Sequence, residues 1–154
     1  MYLVSVLLLT VLLPLLSLAV DRFVLHSPLS HTALLGKWFV FWAAGVRLFV
    51  AGLRQTSQPQ FTAKQIFHMT GDEALPVVRE LGIANLATGV AGIISLWRPS
   101  FVLPIAIVGA VFYGLAGIYH TRQPRESANE NVAMLTDLWV SLVLIAYIVV
   151  TVTS

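Results

Sequence analysis

The stretch VAMLTDLWVSLVLIAYIVVTVT, residues 132 to 153, decides the fold: it is an apolar run broken by a single charged side chain, Asp137. A bilayer hydrocarbon core of about 30 Å needs about 20 apolar residues in a helix rising about 1.5 Å per residue. A helix of a soluble domain would alternate apolar and polar faces instead, and this run has no polar face. Four more runs of that kind precede it, Tyr2 to Val20, Ala33 to Leu53, Pro76 to Trp97 and Phe101 to Tyr119. The expected fold is therefore all-α, a polytopic transmembrane bundle of five spanning helices. The polar stretch Arg54 to Leu75 has room for one short interfacial helix.

Composition agrees with that solvent. Hydrophobic residues make up 58% of the 154-residue chain and charged ones 10%, against about 25% charged in an ordinary soluble domain. No stretch is left over for a soluble domain, so residues 1 to 154 read as one transmembrane domain. The formal charge is +2, with Lys and Arg scattered singly. Phosphate recognition needs them clustered on one exposed face, so nucleic acid is excluded as a partner. The chain has no cysteine, which excludes disulfides, thiolate nucleophiles and Cys-ligated metal or iron–sulfur sites. It contains no HExxH, GxSxG or P-loop string. His26 and His31 lie in a Pro-containing loop while His68 and His120 stand alone, so no metal site is expected and no cofactor is indicated. Trp38, Trp97 and Tyr119 fall near span ends, where aromatic belts form, whereas Trp42 and Trp139 lie deep enough to line a cavity.

The first run ends in Leu18-Ala19-Val20, as a secretory signal could. It lacks a positive n-region and exceeds the usual h-region of about 7–15 residues, so it is read as a retained span. Arg54, Lys64, Arg122 and Arg125 then lie on the N-terminal side, opposite Arg22, Lys37 and Arg98. The positive-inside rule makes the N-terminus cytoplasmic, in the inner (plasma) membrane of a bacterium. Thr62 to Gln65 and Ser127 to Glu130 have capping-box spacing. The first is expected to open the interfacial helix and carry Ile66 and Phe67 toward lipid, the second to lead into the last span. Asp72 is expected to cap the third span, with Pro76 in its first turn, and Pro14 to kink the first.

On the third span Gly82, Gly89 and Gly92 align with Asn85, and Ala84, Ala87 and Ala91 align with Glu80. Two stripes of small residues allow close approach of two neighbours, which predicts a central third helix. Ala106, Ala110, Gly114 and Gly117, flanked by Tyr113, form a similar stripe on the fourth span and predict its seam with the third.

A charge in the middle of a spanning helix costs about 2.5–3.5 kcal/mol on insertion scales, so each should face inward and meet a partner. Arg47 lies six residues before the end of its expected span, Glu80 four after its start and Asp137 five after its start. In alternating helices those positions share one layer, about 6–9 Å below the boundary. His120 and Arg54 would stand just above it and Asn85 somewhat deeper. One reading makes Arg47 a neutralising strut that holds Glu80 and Asp137 in register. Another makes Arg47, Glu80, Asn85, His120, Asp137 and Arg54 a binding layer for a small ligand, an ion or a proton.

The strings GVRLFVAGLRQ at 45–55, FTAKQIF at 61–67, GDEALPVVRELGIANL at 71–86, FYGLAGIYH at 112–120 and NENVAML at 129–135 resemble an uncharacterised family of small polytopic integral membrane proteins. The likeness covers about Trp38 to Tyr147. It implies a membrane-embedded helical fold and brings no activity, cofactor or catalytic residue. The leading functional expectation is a non-enzymatic integral membrane protein that binds or moves a small ligand, ion or proton at the Arg/Glu/Asp layer. The alternatives are an accessory or scaffold subunit of a larger membrane complex and a membrane enzyme acting on lipid or quinone. The expected partners are the lipid bilayer and either another membrane protein or further copies of the chain.

Overall fold

The computed structural model describes residues 2–66, 71–121 and 128–154. Five of its helices are long and apolar enough to cross a membrane. They are α1 (Leu3–Val24), α2 (His31–Ser57), α4 (Leu75–Ile94), α5 (Pro99–Thr121) and α6 (Ala128–Thr153). The short helix α3 runs from Pro59–Phe61 into Thr62–Ile66 between the second and third of them. No strand occurs among the described residues. Large apolar side chains such as Leu12, Leu53, Val77, Leu115 and Leu142 are more than half exposed, so all five long helices present an apolar outer face. Water would oppose contiguous exposure of that kind, and hydrocarbon would not.

The core lies between α2, α5 and α6. Phe39, Val40, Ala43, Ala44 and Leu48 of α2 meet Ile105, Ala106, Ala110 and Tyr113 of α5 and Val140, Val143, Leu144 and Tyr147 of α6. Close approach decides which helices are neighbours. A Cβ on Gly45 would fall 2.8 Å from the Gly92 backbone, and one on Gly52 would fall 2.5 Å from the backbone nitrogen of Leu86. Only glycine admits that contact, so α2 and α4 pack backbone to backbone in antiparallel register. The expected central place of the third span belongs instead to α2, which touches α1, α4, α5 and α6. Ala84 and Ala87, expected to meet a second neighbour of α4, are exposed. The expected seam of the fourth span is also corrected. Gly114 sits against Ser141 and Gly117 against Leu138, so the small stripe of α5 meets α6. These two consecutive antiparallel helices are further tied where the Ser141 hydroxyl donates to the Ala110 carbonyl at 2.9 Å.

Local signals explain most of the helix ends. Ser30 Oγ accepts from the Ala33 N–H at 3.1 Å and caps α2. Pro59 occupies the first turn of α3, where its missing N–H costs nothing, so the helix starts before Thr62, which lies buried inside it and is not the expected cap. At α4 the Asp72 carbonyl, not its carboxylate, accepts from the Leu75 N–H at 3.1 Å. The Asp72 side chain faces Lys64 at 3.4 Å. Pro14 is fully buried and follows a π-helical turn in which the Leu13 N–H bonds back to the Leu8 carbonyl. The break expected at Pro14 thus takes the form of a widened turn. The side chains of Ile66, Phe67 and the Ser127 to Glu130 capping box, like Arg122 and Arg125, lie outside the described residues.

Candidate functional site

Arg47 and Asp137 meet in the interior of the bundle. The Arg47 Nη2 donates to Asp137 Oδ1 at 2.9 Å, and the two side chains keep only 14% and 8% of their exposure. Three elements build this contact. α2 carries a π-helical turn over Val40–Val46, closed by the Arg47 N–H on the Trp42 carbonyl. That turn holds one residue more than an α-turn and so resets the phase of every side chain after it. α6 brings Asp137 from the facing helix, and α5 supplies Tyr113. The Arg47 guanidinium carbon lies 4.9 Å from the centre of the Tyr113 ring, a cation–π contact, and the Tyr113 hydroxyl donates to the Ala43 carbonyl within the π-turn. His120, the last residue but one of α5, is half-buried and close enough for its charge to be felt at Asp137.

Of the six residues expected to form the layer, the structure joins Arg47 to Asp137, keeps His120 in electrostatic reach of that carboxylate, and leaves Glu80, Asn85 and Arg54 elsewhere. Glu80 is exposed. The register between α2 and α4 gives the reason. Gly45 opposes Gly92, so Arg47 stands level with Val90, while Gly82 lies on Gln55 and Thr56, so Glu80 stands near Ser57. Ten residues separate Glu80 from Val90, about 15 Å along the axis. The sequence reading set the end of the second span at Leu53, but the helix runs on to Ser57. Arg47 therefore sits deeper than expected. Asn85 is buried, and its Nδ2 donates to Gln55 Oε1 at 2.8 Å across the α2–α4 seam. Arg54 is exposed, with its guanidinium 3.4 Å from the centre of the Phe61 ring of α3.

Two groups were missed. Tyr113 was legible as a bulky polar residue beside a small stripe, yet its hydrogen bond to a π-turn carbonyl has no sequence signature. At the opposite end of the bundle Asp21, 5% exposed, accepts from Lys37 Nζ at 2.6 Å and from Trp38 Nε1 at 3.0 Å. One turn deeper Trp42 Nε1 donates to Ser17 Oγ at 2.9 Å. The signal for this second cluster was present: an acid at the end of one apolar run, with Lys and Trp six and seven residues into the next helix, across a short loop.

Among the described residues no three His, Asp or Glu side chains come close enough to hold a metal ion. An apolar groove of about 660 Å³ runs along the outer side of α5 and α6, lined by Gly114, Leu115, Leu138, Trp139 and Ser141 among others. A smaller groove of about 240 Å³ lies between α1 and α2, beside Ser17, Asp21 and Trp38.

A family model, described as a family of unknown function (DUF6790), matches residues 1–154. The chain belongs to that family. The match extends past the resembling strings to include α1 and the end of α6. No curated protein and no solved structure matches the chain.

Proposed function

We propose that the chain is an integral protein of a bacterial inner (plasma) membrane, N-terminus cytoplasmic, that handles a small ion or a proton at the Arg47–Asp137 pair. The observation that carries this reading is the pair itself, buried between α2 and α6 with His120 in electrostatic reach. Adhesion does not require it. The same two helices already interlock where Gly36 receives the Tyr147 ring and where Val40, Ala44 and Leu144 share the core. An apolar pair of similar volume would often hold helices as well or better, because burying two charges is costly. Ionisable groups kept inside a spanning bundle are used chiefly for ion and proton traffic.

Purified protein in liposomes with an entrapped pH dye provides the test. Under an imposed proton, sodium or potassium gradient, wild type is expected to carry a flux above that of empty vesicles. Asp137→Asn and His120→Ala should each reduce it about a hundredfold, the low end of the loss of a proton-transfer group. Wild-type flux equal to empty vesicles under all three gradients would refute the reading.

The α5–α6 groove favours a second reading, an accessory subunit whose outer face packs on another membrane protein or a second copy of the chain. Stable co-purification from native membranes, lost when Gly114→Leu fills the groove, would support it. The enzyme alternative is weaker, because Glu80, the second acid of the expected layer, stands about 15 Å from the Arg47 level.

A further inference from the structure

We infer that the Asp21 cluster at the far end of α1 and α2 is a binding site for one anionic phospholipid, its phosphate held by Lys37 and Arg22 and one acyl chain lying in the α1–α2 groove. This goes beyond the Arg47–Asp137 site. Its Lys37 stands ten residues before Arg47 on α2, about 15 Å away, and the proposal rests on the membrane reading alone.

Charge complementarity selects the occupant. Asp21 is neutralised by Lys37 at 2.6 Å, and an ammonium has two further N–H donors. The Lys37 side chain is 27% exposed, so those donors can reach a ligand at the rim. Arg22 reaches the same loop, where its Nη1 donates to the Ser27 carbonyl at 3.4 Å while the Ser27 N–H donates to the Asp21 carbonyl at 3.0 Å. Two cations against one carboxylate leave the cluster at net +1, the complement of a phosphodiester. The groove beneath, about 240 Å³, is lined by Leu16, Val20 and Leu25 with Ser17 and Asp21 at its polar side, and it has the amphipathic division of a lipid. Trp38 closes that side with its indole N–H turned to Asp21, as interfacial tryptophans do at headgroup level.

Native mass spectrometry of the detergent-solubilised full chain tests this with phosphatidylglycerol, phosphatidylcholine and inorganic phosphate as separate probes. Wild type is expected to retain one phosphatidylglycerol about tenfold more strongly than phosphatidylcholine, the size of one charge-assisted hydrogen bond. Arg22→Gln should remove most of that preference. The double variant Asp21→Asn with Lys37→Met keeps an acceptor for Trp38 and leaves Arg22 as the remaining cation, so it should weaken the preference through loss of the Lys37 donors without lowering the melting temperature. Equal retention of both lipids, or wild-type preference in Arg22→Gln, overturns the proposal. Displacement of phosphatidylglycerol by phosphate alone overturns it too, because the site would then recognise the free anion. None of these results bears on ion flux through Asp137, so the two readings fail separately.

Discussion

Replacing Arg47 by Leu leaves the Asp137 carboxylate without its 2.9 Å partner in a site where its side chain keeps 8% of its exposure. Removing one member of a buried pair in soluble proteins costs about 3–5 kcal/mol. Side-chain hydrogen bonds inside membrane proteins are worth up to about 1.7 kcal/mol. The expected loss here is about 3 kcal/mol: it exceeds the hydrogen-bond figure because a full charge is stranded, and it stays near the bottom of the soluble range because Asp137 can take up a proton. Loss of the cation–π contact with Tyr113 is included in that figure. Equilibrium unfolding in mixed detergent micelles should therefore shift by roughly two decades in the unfolding constant. Asp137→Leu should cost a similar amount, since the Arg47 guanidinium would then lose its carboxylate partner. The double variant Arg47→Leu with Asp137→Leu removes both charges together and should recover to within about 1 kcal/mol of wild type. Single variants that each lose less than about 1 kcal/mol, or a double variant whose loss equals their sum, would show that the two charges do not stabilise one another.

Three further outcomes are expected. Gly89→Ala puts a Cβ onto the Phe49 backbone and should cost about 1–3 kcal/mol in the same unfolding assay, whereas Ala84→Leu on the exposed face of α4 should be neutral; the reverse order would mean that the α2–α4 seam is wrong. Glu80→Gln should change stability by less than about 0.5 kcal/mol, because the side chain is exposed and about 15 Å of register keeps it from Arg47; a loss near that of Arg47→Leu would restore Glu80 to the layer. Tyr113→Phe keeps the ring against Arg47 and deletes only the hydroxyl bond to Ala43, so about 1 kcal/mol of stability should go while any Asp137-dependent ion flux persists.

The sequence by itself determined the apolar length of the long helices, their number and the residue types that have to be buried in company. Apolar length is a property of each segment alone, and it was enough to delimit five runs whose ends the structure moves by a few residues. The cost of an isolated charge likewise required that Arg47 and Asp137 find partners, and they found each other. Which other groups join them depends on register and phase, and these are properties of pairs of helices. The glycines of α2 and α4 slide against one another until backbones touch at Gly45–Gly92 and Gly52–Leu86, and that contact carries Glu80 away from the layer. The π-turn over Val40–Val46 adds a rotation ahead of Arg47 that no uniform helical wheel contains. The order of packing was equally hidden, because a small-residue stripe announces a neighbour without naming it: α5 turned its stripe to α6, and α4 left Ala84 and Ala87 exposed. Short-range chemistry is written in the composition of each segment, whereas the meeting of distant side chains is settled only when whole helical surfaces fit.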